Sequence, residues 1–306
     1  MTAEAPSSRP LRAAAGRIAV WPGRAAIRLL RLVPPARLAR FAAALGGAIG
    51  PLLPRNRVAL DNLRQAFPEK GEDECRAIRR DMWRHLFRVI AEGLQADRVF
   101  DFNAEGTGGS NVIVVGAEQA KRLRDDGRPG LIFSAHLGNW ELLPVAGAHI
   151  GLEITSLYRP PNAAFAADIV ERVRARGNSS LVASGAGAAF KLAAVLEQGG
   201  HVGLLVDQKF TNHSKVRIDF FGRPANANPL IAKLARRFDC PVHGARVIRT
   251  AGDKLKVELT GPLDLPRDAS GQIDVARATA MVNAIVEDWV RETPEQWLWI
   301  HRRWAL

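Results

Sequence analysis

The chain has 306 residues, is 47% hydrophobic and carries a formal net charge of +12, enough apolar content for one large α/β core or two small ones and too much for a disordered chain. Cys75 and Cys240 stand alone and the histidines lack metal-ligand spacing, so a disulfide framework, a paired-cysteine zinc site and a bound metal are not expected. The charge is uneven: residues 1–57 hold ten arginines against Glu4, a net +9, leaving +3 for the rest.

Such an arm suggests either nucleic acid or an anionic membrane surface as partner. Arg24, Arg28 and Arg31 share one helical face, and Leu38, Phe41, Leu45 and Ile49 recur at helical spacing. Basic and apolar faces together describe a helix lying in a membrane interface; the alternative is an amphipathic helix packed on its own core. The longest uncharged stretch, Phe41–Pro54, has 14 residues including Pro51, short of the ~20 needed to span a bilayer. Arginines interrupt every candidate signal-peptide core, whereas a mitochondrial-type targeting arm would share this composition. Beyond the arm the chain is nearly charge-balanced and has no recognised nucleic-acid motif, so no nucleic acid is expected. The division is therefore an arm over 1–54 and a single domain over 55–306.

Residues 55–100 are predicted helical, with Ile78, Met82, Leu86, Val89 and Ile90 as the apolar stripe. Asn103–Ser110 is a Gly-rich turn. Strands are expected at Asn111–Val115, at Leu131–Ala135, and near 153–157, 180–182, 202–206, 241–248 and 255–259, with helices near 118–125, 163–176, 186–197 and 229–238. Val275, Ala278, Val282, Ile285 and Trp289 mark a final helix. This alternation predicts an α/β fold: a mostly parallel or mixed sheet flanked by helices, with a basic amphipathic helical arm before it.

The most informative run is Leu131-Ile132-Phe133-Ser134-Ala135-His136-Leu137-Gly138-Asn139-Trp140-Glu141. A buried strand leads into a tight turn, and Asn139 is a plausible N-cap for a helix starting at Trp140. His136 then sits at the carboxyl end of a strand, where open α/β sheets bind ligands. If the corner folds Glu141 back toward it, the carboxylate fixes the imidazole tautomer and makes a general base; otherwise His136 is a structural residue held by a helix-start glutamate. Arg159, in Tyr158-Arg159-Pro160-Pro161, ends the next strand and could hold a phosphate or oxyanion, or be a solvated loop cation. Asp207 and Gln208 end another apolar strand. Asp207 could order a substrate hydroxyl or Arg159, or cap the following turn. Phe220 and Phe221 precede a turn with Arg223 beyond it; they could line an acyl channel or be plain core. The three Trp and three basic residues of Trp297–Trp304 suit a membrane interface or a strand with core and solvent faces. Ser184 lacks the first glycine of a nucleophile elbow.

These runs, in this order, resemble the lysophospholipid acyltransferase superfamily, in particular its lipid A biosynthesis (lauroyl/myristoyl) acyltransferase branch. The matching pieces are His136–Glu141, Tyr158-Arg159-Pro160, Asp207-Gln208 followed by Phe220-Phe221-Gly222, and Pro294-Glu295-Gln296-Trp297 through Arg303, with Asn62-Leu63 and Phe67-Pro68 earlier. The resemblance implies transfer of a fatty acyl group from acyl carrier protein to a hydroxyl of a glycolipid, a lipid A precursor, at the cytoplasmic face of the inner membrane. It implies no cofactor. His136 and Glu141 would be catalytic, with Asn139, Arg159, Asp207, Gln208, Phe220, Phe221 and Arg223 as substrate-contacting residues. The glutamate of His136–Glu141 matches this branch, whereas the arm is too broken for the spanning helix many members carry. Another glycolipid or a phospholipid as acceptor, or acyl-coenzyme A as donor, is the alternative within the same chemistry.

Overall fold

The apolar runs expected as strands become strands, and two further strands, Val216–Phe220 and Arg223–Ala227, join them. In the computed structural model, which describes residues 26–103, 107–158, 180–210 and 214–304, these are β1 (Val112–Val115), β2 (Gly130–Ser134), β3 (Ile154–Tyr158), β4 (Leu181–Ala183), β5 (His201–Leu205), β6 (Val216–Phe220), β7 (Arg223–Ala227), β8 (Val242–Arg249) and β9 (Leu255–Thr260). Seven of them form one sheet in the order β1-β9-β8-β2-β5-β3-β4. All neighbours are parallel except β8 and β9. This is the mostly parallel, helix-flanked α/β architecture that the alternation of elements predicts. All five residues of β2 are buried, as a strand covered on both faces requires.

The helices are α1 (Pro35–Ile49), α2 (Asn56–Ala66), α3 (Glu72–Gly93), α4 (Ala96–Val99), α5 (Ala117–Asp125), α6 (Leu143–His149), α7 (Ala188–Glu197), α8 (Leu230–Phe238) and α9 (Val275–Glu292). Asp274 caps α9 through the Ala276 and Arg277 amides, and its buried face carries Ala278, Val282, Val286 and Trp289. The expected helix at 163–176, Arg159 and Arg24 lie outside the described residues.

One antiparallel pair escaped the sequence reading. β6 and β7 form a hairpin with Phe220 opposite Arg223, closed by Phe221 and Gly222 at φ 56° and 65°. Two positive φ values suit the tight two-residue turn that matches strand twist, but a phenylalanine seldom adopts one. Aromatic packing holds it there: Phe221 meets Phe67 at 5.2 Å, Trp299 at 6.1 Å and Trp304 at 6.3 Å between ring centroids, with the Arg291 guanidinium 4.3 Å from its ring. Pro224 beside the turn obscured the strand, because proline reads as a breaker.

The described part of the arm is packed on the domain. Pro35 starts α1, and the helix lies so close to α3 that a Cβ on Gly46 would stand 2.5 Å from the Trp83 carbonyl oxygen. Leu38, Ala39 and Gly46 are the buried face, whereas Phe41 and Leu45 point outward, 68% and 41% exposed. Among the described residues no helix is long and apolar enough to cross a membrane. Gly46→Val is expected to force α1 off α3 at a cost of about 1–3 kcal/mol, read as a lowered midpoint of thermal unfolding.

Candidate active site

β2 and β5 run parallel with Gly130 opposite His201 and Ser134 opposite Leu205. The pairing continues past the strands, where the Val206 amide donates to the Ser134 carbonyl at 3.0 Å. Carrying the register two residues further sets His136 opposite Asp207. The carboxylate accepts twice from that one residue: His136 Nδ1 is 2.9 Å from Oδ1 and the His136 amide nitrogen 2.9 Å from Oδ2. The Trp297 indole adds a third donor, 2.8 Å from Oδ2. Burial opposes ionisation of Asp207, but the imidazole charge and these donors outweigh it and hold the carboxyl down at about 2. With an anion accepting at Nδ1, the neutral imidazole keeps its proton there and presents a lone pair at Nε2. The Gln208 amide nitrogen lies 3.0 Å from that Nε2.

Trp297 is brought in by a strand-like segment. The Gly138 amide donates to the Gln296 carbonyl at 2.9 Å and the Leu298 amide to the His136 carbonyl at 3.0 Å, with Leu137 and Trp297 bridged antiparallel. Trp297 and Trp299 are buried, which corrects the membrane-interface reading of these rings in favour of core packing. Arg303, 1% exposed, donates to the Asn226 carbonyl at 2.7 Å and Asn283 Oδ1 at 2.9 Å and lies 4.8 Å from the Phe220 ring. Burial pulls its pKa down to about 10, against the opposing field of Asp207.

The turn after His136 is fixed from below. Gly138 has φ 59°, and a Cβ there would stand 2.0 Å from the Val247 carbonyl oxygen, so glycine alone fits. The Asn139 amide donates to that same oxygen at 2.7 Å. Asn139 makes no side-chain cap of the short 3₁₀ turn Trp140–Leu142, contrary to the sequence reading. It is buried, and its Nδ2 donates to Glu92 Oε2 at 2.7 Å. Glu92, also buried, is held by Arg249 and by Arg88 Nε at 3.2 Å. The His85 ring donates from Nε2 to the Gly138 carbonyl at 3.0 Å.

Glu141 does not supply the Nδ1 hydrogen bond expected of it; Asp207 does. Glu141 instead accepts from the Trp140 indole at 3.0 Å, whose ring centroid is 5.2 Å from that of His136. Beside them opens a pocket of about 70 Å³ lined by Ser134, Trp140, Glu141, Leu143, Ile154 and Leu205, among others. A second pocket of about 70 Å³ shares Ile132, Leu143 and Ile154 with it and continues under α6 to Phe102 and Leu259. The first of these apolar pockets has Glu141 in its wall. Phe220 and Phe221, both buried, belong to the aromatic core around Trp297 and Trp299 and line neither pocket. Arg223 is exposed on β7. The structure thus gathers His136, Asp207 and Gln208 at two strand ends, with Asn139 beneath and Glu141 alongside. The sequence reading missed Trp297, Glu92, His85 and Arg249 as supports; only the position of Trp297 within a quoted motif pointed toward it. Among the described residues no cluster of metal-ligating side chains occurs.

Burial lowers the His85 pKa to about 4 from 6.5. A depressed histidine protonates more readily in the unfolded chain, so stability falls as pH drops through 6.5 and levels off below 4. The wild type is expected to lose on the order of 1–3 kcal/mol over that window relative to His85→Gln, in denaturant titrations at pH 7 and pH 4.5.

Comparison with known proteins adds a family likeness to this geometry. The profile described as bacterial lipid A biosynthesis acyltransferase matches residues 6–305. A lipid A biosynthesis palmitoleoyltransferase of Escherichia coli (strain K12) is 24% identical over 290 residues, covering 92% of this chain and 90% of that protein. A lipid A biosynthesis acyltransferase of Shigella flexneri matches with the same identity and coverage.

Proposed function

Because the chain belongs to the bacterial lipid A biosynthesis acyltransferase family and is therefore an acyltransferase, we propose that it moves a fatty acyl chain from the thioester of acyl carrier protein to a hydroxyl of a lipid A precursor, with His136 as general base. The observation that carries this reading is the Asp207 carboxylate on His136 Nδ1, 2.9 Å away, which leaves Nε2 as the basic nitrogen. The acceptor hydroxyl replaces the Gln208 amide at Nε2 and attacks the thioester carbonyl as its proton passes to the ring. The tetrahedral intermediate collapses with loss of the carrier thiolate, which recovers the proton from His136. The products are an ester and a free thiol, and no acyl-enzyme or cofactor is required. Asp207 stabilises the imidazolium while it exists, as a buried carboxylate does in hydrolytic triads. Glu141, held by the Trp140 indole, contributes a second negative charge on the same side. The apolar pocket beside Glu141 suits the acyl chain, and Arg159 is assigned to the acceptor phosphate or the oxyanion.

The working place that fits is the cytoplasmic face of the inner membrane. Residues 1–54 form the membrane-associating arm in this reading. Phe41, Leu45, Leu29, Leu32 and Leu52 are exposed, as are Arg37 and Arg40, a mixture that favours an anionic bilayer surface. The acidic donor protein would meet a basic enzyme, which speeds encounter.

Transfer of labelled acyl groups from acyl carrier protein, with products weighed by mass spectrometry, tests the chemistry. His136→Ala and Asp207→Asn are each expected to lower the rate about 10²–10⁴-fold, and Glu141→Gln to cost less than Asp207→Asn. Undiminished transfer by His136→Ala would sink the proposal. Phe41→Ser with Leu45→Ser is expected to reduce vesicle binding several-fold without altering the unfolding midpoint, because neither side chain is buried.

A further inference from the structure

The segment that brings Trp297 to Asp207 carries a second histidine to the same place. His301 stands 6.3 Å from His136 between ring centroids, with the ring planes at 55°. Two imidazoles hydrogen-bonded to each other have centroids within about 5.5 Å. The gap is therefore wider than a direct bond and narrow enough for substrate atoms to bridge. The His301 side chain is exposed, but its backbone is fixed. Asn62 Nδ2, from α2, donates to the Trp299 and His301 carbonyls at 2.6 Å each. Trp299 and Arg303, two residues to either side, are buried, and the Leu298 amide holds the His136 carbonyl. The spacing of the two histidines is thus set by the same pairing that seats Trp297.

Acyl transfer forms an oxyanion beside His136, where the nearby charges are of the wrong sign for it. Asp207 lies against the imidazole at 2.9 Å, and Glu141 lines the adjoining pocket, so negative charge developing there needs donors. Trp140 and Trp297 turn their indole N–H groups to those two carboxylates. Arg303 directs its guanidinium inward to Asn226 and Asn283. A donor for the oxyanion must come from another direction, and His301 occupies one. A base nitrogen, attacking oxygen, carbonyl carbon, oxyanion and donor nitrogen, with hydrogen bonds of about 2.8 Å at each end, bridge ring centroids roughly 5 to 9 Å apart. The observed 6.3 Å falls within that span.

We infer that His301 is a further catalytic residue, whose ring N–H donates to the oxyanion of the tetrahedral intermediate. The assignment rests on the acyl-transfer reading given above. As the acceptor oxygen bonds to the thioester carbon, its proton passes to His136 and the carbonyl π pair moves onto oxygen. His301 holds that charge by a hydrogen bond and keeps its own proton. Collapse restores the C=O bond and breaks the C–S bond, whose electron pair leaves with sulfur.

Steady-state transfer by the full chain, with the acyl carrier protein donor and the acceptor varied separately, tests this. His301→Ala is expected to lower kcat about 10²-fold while KM for each substrate stays within about twofold. His301→Gln, which restores a side-chain N–H, is expected to recover about tenfold of that loss, and His301→Leu none. A raised KM with unchanged kcat would make His301 a binding contact and overturn the assignment. So would a His301→Gln enzyme no faster than His301→Leu. No transfer by the wild type would refute the acyl-transfer reading itself, whereas a wild type that needs His136 but not His301 refutes this assignment alone. Unfolding midpoints of the three variants are expected to match the wild type, because the side chain is exposed; a common drop in midpoint that accounts for the lost rate would make His301 structural and overturn the assignment.

Discussion

Everything at this site depends on the parallel register between β2 and β5. A slip of one residue would turn His136 and Asp207 to opposite faces, and neither side chain has another element on which to find its partner. The register is secured by burial: Leu131 and Phe133 on β2, Val202 and Leu204 on β5, are all in the core. The hydrophobic effect therefore determines where a proton is held. Asp207 tolerates its burial because three donors converge on two oxygens, which is how a desolvated carboxylate stays ionised without a salt-bridging arginine.

A second level of support surrounds this pair. Gly138 lets the turn press against β8, His85 holds its carbonyl, and Glu92 holds the Asn139 amide, so the residues after His136 are fixed by contacts from α3 and β8 alike. Ionic contacts extend this network outward through Arg88 and Arg249 to the β8–β9 turn. Polar residues that would be expensive to bury singly are buried as a connected set.

The sequence made the strands and helices of the sheet legible because parallel, doubly covered strands are short continuous apolar runs separated by amphipathic helices. His136 stood out for the same reason, ending such a run. The order of strands is not written in any local pattern, so nothing told which carboxylate would face the imidazole; Glu141 was nearest in sequence and Asp207 nearest in space. Phe220 and Phe221 looked like lining because their hairpin was hidden by Pro224 and by a positive φ on an aromatic. Trp297 and Trp299 looked interfacial because basic neighbours flank them, although their rings face inward. Arg303 shows how far composition can mislead: an arginine in a basic run reads as surface charge, yet packing against Phe220 and two oxygen acceptors keeps it inside.

The segment from Pro294 to Trp304 closes over groups made much earlier. Translation proceeds from the amino terminus and domains begin to organise as they emerge, so β2, β5 and Asp207 are available long before the Trp297 indole exists. Until then the carboxylate lacks one of its three donors, and the groove later filled by Arg303, Trp297 and Trp299 is open to solvent. A nascent chain can thus hold most of its sheet while the surroundings of the His136–Asp207 pair are still incomplete. The site is completed only when the Pro294–Trp304 segment docks beside the turn after β2, later than the sheet that carries it.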